Sequence, residues 1–162
     1  MSIELPITRS TKDIDLLIPD PNEYKYLIKT LIELGYERET GTGWRKDRGF
    51  VFDLFVGKTV FTSELLESPL QAGNCMLYKN FTSIQLSILN YYDLIITKLF
   101  RSAPADVDDC LALIREKSKE INIEKLKLRF YETSSYDISD VKNQKNFKFF
   151  YETLMTKRNQ DG

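Results

Sequence analysis

Three aspartates stand where strand-forming residues would be expected to be apolar. Asp13 and Asp15 flank Ile14 in "STKDIDLLIP" (10–19), and Asp53 sits in the middle of "FVFDLFVG" (50–57). Successive strand residues point to opposite faces, so Asp13, Asp15 and Leu17 share one face while Ile14, Leu16 and Ile18 share the other. Same-face neighbours lie roughly 6–7 Å apart along a strand. Two ionised carboxylates at that separation repel by roughly 2–3 kcal/mol at an effective dielectric near 20. A divalent metal offsets this directly, because magnesium takes carboxylate oxygens and keeps positions for water and phosphate. Two such ions roughly 3.5–4 Å apart would clamp a phosphoryl transfer. The bland alternative is that Asp13 and Asp15 merely face solvent at a sheet edge.

Counting tempers the pattern. Random placement of the twelve aspartates over 162 positions yields about one Asp-x-Asp pair. A second pair does occur, Asp106 and Asp108, but on a segment that reads as helix, where residues two apart diverge by about 200°. Acids at a helix N-terminus explain that pair. The strand pair differs because its side chains converge. Lys98, at the border of an apolar helical face, reads first as a lysine laying its stem along that face with its ammonium in water.

Composition removes other chemistries. There is no histidine, which excludes Ser-His and Cys-His nucleophile pairs and His-ligated zinc. Acid–base work would fall to Asp, Glu, Lys, Tyr or water. Cys75 and Cys110 fit no metal spacing and are expected to be reduced. A net charge of −1 from 23 basic and 24 acidic residues is unlike the basic footprint of a dedicated nucleic-acid binder. "MSIELPITRS" lacks the apolar segment of a secretion signal, and no stretch reaches the roughly 20 apolar residues of a membrane span. A cytoplasmic protein, with no membrane partner, is the expectation.

The elements that must carry these residues follow from periodicity and punctuation. A strand is expected over 12–18, stopped by Pro19, then a helix capped by Asn22 and closed by Gly35. A hairpin around Gly41 and Gly43 and a strong strand over 50–57 come next. A short helix is expected over 62–69, and strands over 75–79 and 82–88. Asn90 reads as the N-cap of a helix with Asp93 three residues on, a capping-box variant. Pro104 opens another helix, and two more helices follow. The order predicts an α+β (mixed α/β) fold: a core with a mixed sheet over 1–88 carrying a helical region over 89–162.

"TRSTKDIDLLI", "VFDLF" and "YDLIITKLFRSAPADVDDCLALI", in that order over residues 6–130, resemble the nucleotidyltransferase superfamily. The similarity is to its small bacterial and archaeal branch, of the toxin–antitoxin and abortive-infection type. The resemblance implies that Asp13 and Asp15 bind metal (Mg2+ or Mn2+), that Asp53 is the third ligand and a base, and that Arg9, Thr11 and Lys98 contact a nucleoside triphosphate. Asp106 and Asp109 match the acidic pair of a following helix. One departure is large. The branch carries a Gly-Gly or Gly-Ser turn roughly ten residues before its acid pair, whose backbone donors hold the triphosphate. "MSIELPITR" contains no glycine, so that turn is expected to be missing from this polypeptide. A misassigned start, a fragment and a catalytically degenerate protein each account for this.

Two functions follow from the resemblance. One is metal-dependent transfer of a nucleoside monophosphate to an acceptor hydroxyl on RNA, protein or a small molecule. The other is a degenerate member that binds a protein, as the cognate antitoxin, a defence partner or a homodimer. A third reading, nucleic-acid contact through Arg45, Lys46 and Arg48 beside Trp44, competes with a solvated hairpin. Phe147, Phe149, Phe150 and Tyr151 read as helix core.

Overall fold

The computed structural model describes residues 14–160. Among the described residues the fold is α+β, with five helices and a mixed sheet. Two compact units make up the chain, Met1–Gly57 and Lys58–Gly162.

Among its described residues, the first unit is a four-stranded sheet with one helix. Strand β1 (Ile14–Ile18) is followed by helix α1 (Pro21–Glu33), by the short strands β2 (Glu37–Arg38) and β3 (Gly43–Arg45), and by β4 (Phe52–Val56). The spatial order is β1-β4-β3-β2, parallel between β1 and β4 and antiparallel elsewhere. Helix α1 starts two residues earlier than its sequence suggests. Asp20, not Asn22, is the N-cap: its Oδ1 accepts the amides of Asn22 at 2.6 Å and Glu23 at 3.2 Å, and Pro21 needs no donor partner at the first helical position. The helix ends at Gly35, whose φ of +84° suits a residue without a Cβ. One sheet face packs on α1: Leu16, Ile18, Trp44, Phe52 and Leu54 meet Tyr24, Leu27, Ile28 and Leu31. Trp44 is therefore buried, with the Arg38 guanidinium over its ring, and Arg45 pairs with Glu39 at 2.6 Å.

In the second unit, β5 (Thr59–Val60) pairs with β6 (Ser63–Glu64), and β7 (Cys75–Asn80) with β8 (Gln85–Leu89). The helix expected over 62–69 does not form. The chain instead turns at Phe61, which takes the left-handed φ of +53°. The ladder continues through Leu65, whose amide bonds the Lys58 carbonyl at 2.9 Å. Leu65 itself is buried. Four helices follow: α2 (Tyr91–Arg101), α3 (Pro104–Glu116), α4 (Ile123–Ser135) and α5 (Asp140–Gln160). Asn90 caps α2 as expected, accepting the Asp93 amide at 3.0 Å and donating to its carboxylate at 2.7 Å. Ile95, Leu99, Phe100, Ile114, Leu126, Phe130, Phe147 and Phe150 are among the residues that form one core, with Phe130 and Phe147 stacked at 4.3 Å. Of the C-terminal aromatics expected inside, Phe149 is the exception, being exposed.

Among the described residues, no helix is long and apolar enough to cross a membrane. The core makes a specific demand on α5. Phe147→Ala should destabilise the full chain by about 3–5 kcal/mol, whereas Phe149→Ala should change it by no more than about 0.5 kcal/mol. Urea unfolding followed by circular dichroism separates the two.

Candidate functional site

The parallel pairing of β1 with β4 sets Asp15 directly opposite Asp53. Partners in register project from the same side of a sheet, and neighbouring strands lie about 4.8 Å apart. Two carboxylates thus stand side by side on the sheet face away from α1, closer than alternation along one strand could bring them. Asp15 is exposed and Asp53 half-buried. Asp13, Arg9 and Thr11 lie outside the described residues.

The local sequence around Asp53 is built to hold it. On its other side β4 pairs with β3, and Gly43 is the register partner of Asp53. The Thr42 hydroxyl donates to Asp53 Oδ1 at 2.6 Å. Thr42 is itself fixed, because its carbonyl accepts the Leu54 amide at 3.0 Å. The Gly43 amide donates to Thr40 Oγ1 at 2.8 Å. A Cβ on residue 43 would fall 2.5 Å from Thr40 Oγ1, too close for a side chain, and 3.6 Å from Asp53 Oδ1, an ordinary contact, so it is Thr40 that calls for glycine here. Gly43 read from the sequence only as a hairpin glycine, and Thr42 not at all; that either sits beside Asp53 depends on the pairing of β3 with β4.

Charge and donor type suit a hard cation at Asp15 and Asp53, since both offer carboxylate oxygens and at least one is open to water. Among the described residues, no three Asp, Glu or Cys side chains converge as a metal cluster. The third ligand that the resemblance implies, Asp13, falls outside them.

Lys98 belongs to a different environment in the second unit. Its ammonium lies 3.1 Å from Asp109 Oδ2 and 3.7 Å from Asp106 Oδ1. Asp106 is almost fully buried. It accepts Arg101 Nε at 3.0 Å and Nη2 at 2.5 Å, and its Oδ2 also accepts the Ala103 amide at the start of α3, at 2.9 Å. Burial pushes the Asp106 carboxyl up, but the Arg101 and Ala103 hydrogen bonds and the Arg101 and Lys98 charges outweigh it and hold the carboxyl below its ordinary value. Burial also pushes the Cys110 thiol up, to about 12, with Lys98 opposing, so it is no nucleophile at neutral pH. Cys75 and Cys110 are both free.

A second buried carboxylate, that of Asp93, is held by the half-buried Arg129. Arg129 donates Nε to Asp93 Oδ1 at 2.7 Å and Nη2 to Oδ2 at 3.0 Å, and Glu67 lies 3.8 Å from its Nη1. These partners are 36 residues apart, a distance no local pattern could span. A groove of about 420 Å³ in this unit is lined by Leu99, Val107, Asp108, Asn146 and Phe149 among others. It includes no residue of the Asp15–Asp53 pair.

A family model described as "Nucleotidyltransferase of unknown function (DUF6036)" matches residues 1–159. No curated protein matches the chain.

Asp106 gives a pH prediction. A carboxyl held below its unfolded value contributes stability above that value and loses it as acid is added. The gap in unfolding free energy between the wild type and Asp106→Asn should be constant near neutrality and should shrink below about pH 4. Urea unfolding at pH 7, 5, 4 and 3 measures it; a gap that widens in acid would contradict the Asp106 pairing.

Proposed function

The chain belongs to this family of nucleotidyltransferases of unknown function, and on that footing we propose that it is a metal-dependent enzyme transferring a nucleoside monophosphate from a nucleoside triphosphate to an acceptor hydroxyl. The observation that carries the reading is the register match of Asp15 with Asp53 on the sheet face away from α1. Asp13, outside the described residues, is the third member that the superfamily resemblance implies.

Asp13, Asp15 and Asp53 would hold magnesium or manganese. When bound, the metal supplies neutralisation and orientation of phosphate oxygens. The chain's own contribution is positioning. Asp53, steadied by Thr42, would accept the proton of the acceptor hydroxyl as that oxygen bonds to the α-phosphorus. The bond from the α-phosphorus to the bridging oxygen then breaks, and pyrophosphate leaves with the electron pair. Arg9, Thr11 and Lys98 are the residues that the superfamily resemblance assigns to the nucleotide. The acceptor class is RNA, protein or a small molecule. Membership of a toxin–antitoxin or defence pair rests on the same resemblance.

A degenerate, partner-binding protein is the second reading. The observation on its side is Lys98, whose ammonium is engaged by Asp109 and Asp106 rather than left for a phosphate.

One experiment separates the readings. The full chain is incubated with magnesium, α-labelled nucleoside triphosphates and cellular RNA or protein. Transfer of label is expected, with losses of at least about 10²-fold in Asp15→Asn and in Asp53→Asn. Equal labelling by wild type and Asp53→Asn, or none by any form, would leave the partner-binding reading in its place.

A further inference from the structure

The hydrogen bond from Thr42 to Asp53 does more than fill a valence. Asp53 has two oxygens. Oδ1 is taken by the Thr42 hydroxyl at 2.6 Å, while Oδ2 accepts no hydrogen bond from a described residue. The donor is neutral, so it fixes the carboxylate without cancelling its charge. The Thr42 backbone is locked to β4 by the Leu54 amide at 3.0 Å. The residue after it is locked as well, through the Gly43 amide on Thr40 Oγ1 at 2.8 Å and the Glu39 amide on the Gly43 carbonyl at 2.9 Å.

Gly43 completes the arrangement. It is buried and stands in register with Asp53. A side chain there would clash with Thr40 Oγ1, so glycine preserves the Thr40 bond that shapes the hairpin. The hairpin between β2 and β3 thus brings a hydroxyl to one carboxylate oxygen.

We propose that Thr42 is a positioning residue for the metal: it holds Asp53 by Oδ1 so that Oδ2 is the oxygen offered to a divalent cation shared with Asp15. The inference rests on the metal-site reading above and deepens it. Carboxylates that ligate metals are steadied by outer hydrogen bonds, and loss of such a bond lowers metal affinity by about 10–100-fold.

The test is manganese binding by the full chain, followed as loss of the free-ion electron paramagnetic resonance signal, with thermal unfolding recorded for each form. Thr42→Val keeps the shape and loses the donor; it should bind manganese about 10–100-fold more weakly than wild type. Thr42→Ser retains the donor and should bind within about 3-fold of wild type, while Asp53→Asn should abolish binding. If Thr42→Val does not fold, Thr42→Ala against Thr42→Ser makes the same comparison. Wild-type affinity in Thr42→Val or Thr42→Ala, with Asp53→Asn null, would overturn the role of Thr42 and leave the metal site standing. Weak binding by Thr42→Ser would also overturn it, by placing the effect in the methyl group. No binding by wild type, or equal binding by Asp53→Asn, would overturn the metal site and this proposal together.

Discussion

Parallel pairing of β1 with β4 is the constraint on which the first unit depends. A parallel pair cannot be joined by a tight turn, and here α1, β2 and β3 lie between the two strands in sequence. The helix covers one face of the sheet. The apolar set Leu16, Ile18, Phe52 and Leu54 is committed to that face, and this commitment fixes the register. Because side chains alternate, a slip of one residue would turn Asp53 into the core and Leu54 out of it. The hydrophobic face is therefore what places Asp15 opposite Asp53 on the other. Like charges at about 5 Å and an effective dielectric near 20 repel by up to about 3 kcal/mol, less where water reaches them. The burial of Leu54 and Trp44 holds the strands together against that repulsion.

The second unit deals with its acids differently. Asp93 is buried against the Arg129 guanidinium and Asp106 against that of Arg101. In each case a planar fork meets a carboxylate with two bonds, the geometry that suits desolvated ion pairs. Removing one partner of such a pair is far worse than never having had it, because the other charge is left in a medium that cannot solvate it. Asp53 contrasts with both. Its bond is to a neutral hydroxyl, which orients the carboxylate and leaves its charge in place. Charge that a fold neutralises internally serves stability; charge that it only orients remains for something else.

The elements whose formation is local were legible in the sequence. The Asn90 cap with Asp93, the Gly35 terminus of α1 and the alternation of β1 and β4 are all set by a few neighbouring residues. The failures were of two physical kinds. Over 62–69 helix propensity was overridden by a tight turn at Phe61, a residue that rarely takes a positive φ and so gives no warning. At α1, Asp20 outcompeted Asn22 because Pro21 fixes the first helical residue one place after Asp20. The site was half legible. That Asp15 and Asp53 are unusual could be read from each strand alone, but that they are neighbours depends on a pairing across 38 positions of sequence. That Thr42 and Gly43 flank Asp53 became visible only once β3 was seen on the other side of β4.

Lys98 shows how far an occupied side chain constrains function. Its ion pairs with Asp109 and Asp106 would have to be exchanged if it met a phosphate. Asp106 would lose little, since Arg101 holds both its oxygens and the Ala103 amide holds one. Asp109 is the carboxylate that would lose its partner, and its side chain is about a third exposed, at 35%. Ion pairs open to water to that degree contribute about 0–1 kcal/mol. Water can replace Lys98 at Asp109, while nothing could replace Arg101 at Asp106. The network therefore has a fixed half and an exchangeable half, and Lys98 is in the exchangeable one.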